Sequence, residues 1–269
     1  MALLTLPLVL AIIMVELAIG GAFLLWYLDR TENAPSGFLK LTAFVDAGAI
    51  AFAGVLLPAI PHGSGAADAR LDPDRLATFS QLVVVVIVLV IAQLVVSFVP
   101  WKGARQVVGA VTVLTGVVCL TFAALARPST VSVDVLALLA LPLGALALGG
   151  ADAAMLLGHW YLVTPKLSTG PLRRAALVVV FAVALQLVIA LLAIARGQLS
   201  LDWEPALLVA AALRIGVGIF GTGAVALAAW WTARMNTQAS TGLLYVGIGT
   251  AISGEISAKV IFFLTGVAL

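Results

Sequence analysis

Residues 78–99 read TFSQLVVVVIVLVIAQLVVSFV, an apolar run that is free of charged side chains. A hydrocarbon core about 30 Å thick requires roughly 20 apolar residues in a helix. Further stretches of this kind occur on both sides of the run, so that the whole series is about 3–28, 39–60, 78–99, 106–126, 131–163, 175–195, 205–233 and 240–267. Most connections between them are short, which favours antiparallel neighbours in one bundle. We therefore predict an all-α, polytopic membrane protein with about eight transmembrane helices, forming a single integral-membrane domain over residues 1–269.

The composition excludes several classes of protein. Of the 269 residues, 63% are apolar and 10% are charged, whereas soluble domains carry about a quarter charged residues. The single cysteine, Cys119, cannot form a disulfide framework or a cysteine-ligated metal cluster within the chain. Two histidines, His62 and His159, are too few for a conventional zinc site. The formal net charge of +2 is too small to suggest a nucleic-acid partner.

The basic residues of the loops predict the orientation of the chain. The odd-numbered loops contain eight of them, Arg30, Lys40, Lys102, Arg105, Lys166, Arg173, Arg174 and Arg234, and the even-numbered loops contain four, Arg70, Arg75, Arg127 and Arg196. Acidic residues of the even loops include Asp134. Because Lys and Arg are enriched in cytoplasmic loops, the odd loops are predicted to be cytoplasmic and both termini to lie on the outer, periplasmic side. We expect a multi-pass protein of the inner (cytoplasmic) membrane.

Ionisable residues within the apolar stretches are costly, about 2.5–3.5 kcal/mol each at a helix centre on insertion scales. This chain has six of them: Glu16, Asp46, Asp152, Arg214, Glu255 and Lys259. Glu255 and Lys259 are four residues apart, in the order that favours an ion pair on one helical face. Arg214 cannot lose its charge, so we expect it to pair with a carboxylate of another helix, Glu16 or Glu255. These three residues, Arg214, Glu255 and Lys259, are interpreted as structural ion pairs.

Asp152 and His159 are seven residues apart and share one face of the fifth stretch. An aspartate beside an imidazole can fix its tautomer and raise its basicity, so the pair is a candidate for proton transfer or for hydrogen bonding to a quinone. The alternative is that His159 is an interfacial ring without a chemical role. Asp46 either extends a proton path toward the cytoplasm or is simply within reach of water.

Glycine patterns in these stretches are interpreted as packing sites. Residues 216–221 match G-x-G-x-x-G formally, but a dinucleotide site requires a preceding strand, and here the pattern lies in an apolar helix. The stripe Gly218, Thr222 and Ala226 instead predicts close helix contact, as do Gly20-Gly21 and Gly149-Gly150. The long fifth stretch is expected to kink at Pro142. No internal repeat relating the first four stretches to the last four is detected.

Three segments resemble a known family. The last stretch contains Gly254-Glu255-Ile256-Ser257-Ala258-Lys259-Val260-Ile261-Phe262-Phe263, the first contains Glu16-Leu17-Ala18-Ile19-Gly20-Gly21-Ala22-Phe23, and the second is followed by His62-Gly63-Ser64. These segments are similar to patterns of the dimethyl-sulfoxide-reductase and polysulfide-reductase type membrane-anchor subunits, although Lys259 stands where the family more often has arginine. Eight helices with both ends outside also match the layout of that family.

The resemblance implies a haem-free anchor subunit of a respiratory oxidoreductase complex. Such a subunit exchanges electrons between quinone and a partner iron–sulfur subunit, which serves a catalytic subunit of the same complex. It implies that His62 and Glu16 bind the quinone, menaquinone or ubiquinone, with no covalently bound cofactor. Asp46, Asp152 and His159 are the candidates for proton transfer. The chain itself is expected to hold no catalytic residue and no metal site, and its other partner is the lipid bilayer.

Other functions remain open at this stage. The chain is alternatively a structural subunit of a respiratory or photosynthetic assembly, in which the charges brace helices. It is also a candidate proton-coupled transporter of small solutes, because intramembrane carboxylates suit ion coupling, although repeats are frequent in such proteins. A single haem ligated by a histidine and by Met14, Met155 or another subunit is a minor alternative.

Overall fold

A computed structural model describes residues 2–31, 34–128, 135–164 and 167–269. The helices of these ranges are α1 (Ala2–Thr31), α2 (Ser36–Leu56), α3 (Gly63–Asp68), α4 (Pro73–Ser97), α5 (Lys102–Leu125), α6 (Val135–Val163), α7 (Gly170–Ala195), α8 (Pro205–Ala212), α9 (Thr222–Thr232) and α10 (Thr237–Thr265). A 3-10 turn (Leu57–Ala59) follows α2, and a π-helical segment (Leu213–Gly221) joins α8 to α9. Among the described residues, eight helices are long and apolar enough to span a membrane, since α8, the π segment and α9 form one span.

The predicted helices and the observed helices agree in number and order. The all-α, polytopic fold is confirmed, with helix ends within a few residues of the predicted ones. Local sequence explains several of these ends: the Asp72 carboxylate accepts hydrogen bonds from the backbone N–H groups of Asp74 and Arg75 at the start of α4, as expected of an N-cap. The helix α6 continues through Pro142. The start of the fifth predicted stretch, with Asp134, and the loop residue Lys166 lie outside the described residues.

The spans alternate between two faces of the bundle. We call the face that contains the start of α1 and the end of α10 the terminal face, and the face that contains the end of α1 and the start of α10 the opposite face. The helices α1 and α6 are the most enclosed spans, with 78% and 67% of their apolar windows buried. The remaining spans carry large exposed apolar side chains, such as Phe44, Leu114 and Phe181, as expected of surfaces in contact with lipid.

The chain consists of two four-helix halves in which the helices pack in the same order. In the first half α1 and α4 each pack against α2 and α5; in the second half α6 and the α8–α9 span each pack against α7 and α10. The halves meet mainly where α1 packs along α6. These two helices share a short sequence, Leu17-Ala18-Ile19-Gly20-Gly21-Ala22 in α1 and Leu146-Ala147-Leu148-Gly149-Gly150-Ala151 in α6.

Glycine permits the close approach of the two halves. A β-carbon on Gly20 would lie 1.8 Å from the backbone oxygen of Ala145, and one on Gly149 would lie 2.3 Å from that of Leu17. Neither position therefore accepts a side chain unless the helices separate. In the second half Gly218 similarly contacts the backbone of Gly254, and the Thr222 hydroxyl donates to Thr250 at 2.9 Å. Close helix contact at Gly20, Gly149 and Gly218, predicted from the sequence, is confirmed.

Candidate functional site

The interior of the bundle contains a cluster of four charged side chains, which we call the charge cluster. Glu16 comes from α1, Arg214 from the π-helical segment, and Glu255 and Lys259 from α10. Their exposed fractions are between 0% and 2%. The cluster contains two acidic and two basic groups, so its formal charge is zero. This balance compensates in part for the cost of removing each charge from water.

Glu255 is the centre of the charge cluster. Its Oε1 lies 2.8 Å from Nη1 of Arg214 and accepts a hydrogen bond of 2.8 Å from Nε2 of Gln186 in α7. Its Oε2 lies 2.5 Å from Nζ of Lys259. Arg214 therefore pairs with Glu255, one of the two partners that its depth suggested. Nε of Arg214 also donates to the backbone oxygen of Leu269 at 3.0 Å, which ties the segment after α10 to the cluster.

Lys259 joins the two halves of the molecule. Its Nζ lies 2.6 Å from Oε1 of Glu16, so the ammonium bridges one carboxylate of its own helix and one of α1. The second oxygen of Glu16, Oε2, is buried and has no hydrogen-bond partner among the described residues. Glu16 is thus the member of the charge cluster that retains unused accepting capacity.

The charge cluster requires a glycine on the facing helix α6. A β-carbon on Gly144 would lie 2.5 Å from Oε1 of Glu16, 2.6 Å from Nζ of Lys259 and 2.7 Å from Oε2 of Glu255. The backbone of α6 therefore forms one wall of the cluster. A kink was predicted at Pro142, two residues earlier, whereas no role was predicted for Gly144.

A second group of polar side chains lies between α1, α2 and α6. Asp46 is 1% exposed, and neither of its carboxylate oxygens has a hydrogen-bond partner among the described residues. Thr42, one helical turn earlier, is 0% exposed and its hydroxyl is likewise without a partner there. A β-carbon on Gly21 would lie 2.0 Å from Oδ1 of Asp46, so the carboxylate lies against the backbone of α1. The alternative that Asp46 is merely within reach of water is wrong, because the side chain is buried.

Asp152 belongs to this second group rather than to a pair with His159. It is 7% exposed, its Oδ2 has no hydrogen-bond partner among the described residues, and it interacts electrostatically with Asp46. His159 is exposed, and its Nδ1 is 2.9 Å from the hydroxyl of Tyr245 in α10. The structure therefore brings Asp152 close to Asp46 and brings His159 to Tyr245.

The buried ionisable groups of α1, α2, α6 and α10 lie at different depths in the bundle. At 1.5 Å of rise per residue, Asp46 and Asp152 lie about 15 Å from the ends of their helices at the opposite face. Glu16 lies about 22 Å from the same end of α1, and Lys259 lies about 9 Å from the end of α10 at the terminal face. We call Asp46, Asp152 and Glu16 the carboxylate series. All three carboxylates are buried.

His62 lies apart from the carboxylate series. It is exposed at the terminal face, in extended backbone immediately before α3. Glu16 is fully buried and is paired with Lys259. The two residues that the family resemblance assigned to one quinone site are therefore not brought together.

A small cavity of about 10 Å³ lies beside Lys259 at the terminal face. Ala140 and Leu141 of α6 form one side of it, and Ala268 and Leu269 cover it. The chain reverses direction at Gly266, whose φ of 84° is in the left-handed region that favours glycine. Only a few residues therefore separate the charge cluster from this face.

No family model, curated protein or solved structure matches this chain. The resemblance to the reductase anchor subunits therefore stays a prediction that rests on the three short segments.

Several polar residues of these sites were missed in the sequence. Gln186 is the single amide of the apolar helix α7, and this isolation was the signal that could have indicated it. Thr42 and Tyr245 gave no such signal, because hydroxyl side chains are common in membrane helices. Gly144 could be recognised only after α6 had been placed against α1 and α10.

Proposed function

We propose that the chain is a haem-free membrane subunit of a respiratory oxidoreductase complex, in which quinol is oxidised or quinone is reduced and protons pass through the interior of the bundle. The carboxylate series carries this proposal. Asp46 and Asp152 have buried oxygens that lack hydrogen-bond partners among the described residues, and Glu16 has one such oxygen. Buried polar groups are normally satisfied, so such carboxylates in an interior are typical of proton transfer.

In this proposal, the electrons and the protons of quinol have different acceptors. Oxidation of a quinol breaks two O–H bonds and releases two protons and two electrons. An iron–sulfur cluster requires about four cysteine thiolates, and Cys119 is the only cysteine, so the electrons pass to a partner iron–sulfur subunit and its catalytic subunit. The protons pass to side chains of this chain, with His62 as the acceptor at the terminal face and the carboxylate series as the acceptors within the membrane.

The first experiment is purification of the tagged chain from its native membrane in mild detergent, followed by identification of co-migrating polypeptides. Stoichiometric iron–sulfur and catalytic subunits are the expected result. In that complex, His62→Ala should lower quinol turnover about 100-fold, a typical effect of losing a positioned acid–base group. Asp68→Ala, an exposed change in the neighbouring α3, is the matched control. Turnover unchanged by His62→Ala would remove this residue from the mechanism.

A proton-coupled transporter of small solutes is the second candidate, and one observation favours it. The chain has two four-helix halves that meet along α1 and α6, and many transporters bind substrate and coupling ions between two halves of the molecule. A lone chain that takes up solute into liposomes in response to a proton gradient would favour this function over the first. A lone chain without such activity, together with co-purified redox subunits, would favour the oxidoreductase.

A further inference from the structure

Basic and aromatic side chains meet at the opposite face of the bundle, where α7 begins and α9 ends. We call Arg173, Trp230 and Arg234 the arginine–tryptophan group. The guanidinium carbon of Arg173 lies 5.2 Å from the centre of the Trp230 ring, and that of Arg234 lies 5.0 Å from the same ring. Arg234 also lies 5.6 Å from the ring of Trp231. Two positive charges therefore share one indole, and the group contains no residue of the charge cluster or of the carboxylate series.

The donors of this group have no acceptor within the part of the chain that the structure describes. There the side chains of Arg173 and Arg234 donate no hydrogen bond and form no salt bridge. Nε of Arg173 and Nε1 of Trp230 are buried and also lack a partner among those residues, although buried donors are normally satisfied. Arg173 is half-buried and Arg234 is exposed, so a ligand can reach the guanidinium groups from the membrane surface. Because guanidinium and indole N–H groups only donate, that ligand must supply acceptors.

The surroundings of the arginine–tryptophan group favour a negatively charged ligand. Among the described residues, Asp29 is the only carboxylate at the helix ends of the opposite face, and Arg105 donates to both of its oxygens, at 3.2 and 3.1 Å. The helix α7 has no acidic residue in its first turn, and the side chain of Thr169 does not cap it. The positive end of the helix dipole therefore adds to the two guanidinium charges.

An apolar strip extends from the group along α7 and α9. Leu177 and Phe181 lie one and two turns after Arg173 on the same face of α7, and both are exposed. Leu227 lies one turn before Trp231 in α9, which packs against α7, and it is exposed as well. A ligand whose charged end lies at the arginine–tryptophan group can therefore place an apolar part along these side chains. The required ligand is an amphipathic anion.

We propose that the arginine–tryptophan group binds the head-group phosphate of an anionic phospholipid, whose acyl chains lie along the apolar strip. The guanidinium groups of Arg173 and Arg234 donate to the phosphate oxygens, since the planar fork of arginine matches phosphate with two parallel hydrogen bonds. Stacking on the indole orients both guanidinium groups. Basic pockets between membrane helices are established sites of anionic head groups. The inference does not rest on the proposed function, because it requires neither a quinone nor a partner subunit.

The test is native mass spectrometry of the purified full-length chain, released from nanodiscs that contain equal amounts of phosphatidylglycerol and phosphatidylcholine with the same acyl chains. Both lipids carry a phosphate, but only phosphatidylglycerol has a net negative charge. The unaltered chain should retain phosphatidylglycerol about 10-fold more than phosphatidylcholine, as two basic residues at a membrane surface lead us to expect. The double change Arg173→Gln with Arg234→Gln should abolish this preference.

The matched control is the double change Arg30→Gln with Lys40→Gln. It removes two positive charges from the same face, and each of these cations lies over an aromatic ring of its own, Trp26 or Phe98. The control variant should keep the preference for phosphatidylglycerol. A further sample receives an excess of inorganic phosphate, which offers the same oxygens without acyl chains and should not displace the lipid.

Equal retention of the two lipids by the unaltered chain would overturn the inference, and so would a preference that survives the loss of Arg173 and Arg234. An equal loss of preference in the control variant would show attraction of lipid to the basic face in general and would overturn the specific site. Displacement of the lipid by inorganic phosphate would assign the group to a soluble anion instead. The comparison of lipids uses the unaltered chain, so it remains decisive if the altered chain does not fold.

Discussion

Glu16 and Lys259 illustrate how a buried charge depends on its neighbours. Lys259 contacts two carboxylates, Glu16 at 2.6 Å and Glu255 at 2.5 Å, and Glu255 is shared with Arg214. Loss of either Glu16 or Lys259 leaves the charge cluster with a net charge in a medium of low dielectric. Loss of both restores neutrality through the remaining Arg214–Glu255 pair.

This arrangement predicts strong coupling between Glu16→Gln and Lys259→Gln. Each single change should destabilise the protein by about 3–5 kcal/mol, the usual effect of leaving a buried charge unpaired. The double change should be less destabilising than the sum of the two. Thermal unfolding midpoints of the four proteins in one detergent provide the measurement, and additive losses would contradict the electrostatic account of the cluster.

Asp46 leads to a different prediction, because its carboxylate has no hydrogen-bond partner among the described residues. Asp46→Asn should leave the unfolding midpoint unchanged or raised, since a neutral amide of the same shape removes the cost of ionising a buried carboxyl group. If the carboxylate series transfers protons, the same change should lower quinol turnover by 10-fold or more. Asp68→Asn, at an exposed site, is the control. A lowered midpoint together with poor assembly would instead indicate a structural brace.

At the scale of elements, the contact between α1 and α6 depends on the absence of side chains. Gly20 and Gly149 allow the two backbones to touch, as small residues commonly do in membrane helices. The π-helical segment Leu213–Gly221 is a second special element, because it carries Arg214 into the charge cluster. Single π-helical turns in longer helices are rare and are frequently located at functional sites.

Gly149→Ala tests the helix contact. The added methyl group would lie 2.3 Å from the backbone oxygen of Leu17, so α1 and α6 must separate, and we expect a loss of about 1–3 kcal/mol, as for other overpacked sites. The matched control is Gly48→Ala in α2, where no atom of the described residues lies within 4 Å of the new methyl group. Unfolding midpoints compare the two variants, and equal values would contradict the close contact.

At the scale of the whole molecule, the two halves are each a closed ring of four spans. The short segment between α5 and α6 is the only covalent link between them, and the largest contact across the boundary is that of α1 with α6. Each half therefore has its own internal packing, and the charge cluster is completed by Glu16 of the first half.

We expect residues 1–128 and 129–269 to associate when they are expressed as two separate chains. Apolar packing along α1 and α6 and the Glu16–Lys259 ion pair supply the contact between the two halves. Co-purification through a tag on one half measures the association. Gly149→Ala should weaken it and Gly48→Ala should not, whereas halves that never co-purify would show that the covalent link is required.

Much of the site was accessible from the sequence because charge in an apolar segment is a local signal. Glu16, Asp46, Asp152, Arg214, Glu255 and Lys259 were all singled out on this basis. The pairing of Glu255 with Lys259 also followed from spacing on one helix. The partners of Asp152 and His159 did not follow, because residues seven apart on one helix can face different neighbours, here Asp46 and Tyr245.

The amino-acid sequence by itself determined the number, order and approximate ends of the spans. The reason is that the hydropathy of each segment depends only on its own side chains, apolar or charged. Only the tertiary structure determined which helices meet and with which faces. The packing of the helices places Gln186 and Gly144 at the charge cluster, keeps His62 apart from Glu16 and encloses Gln93 in a recess between α1, α2, α4 and α5. The physical reason is that contacts between helices depend on their rotation and separation, which are set by shape complementarity among distant segments rather than by the hydropathy of any one of them.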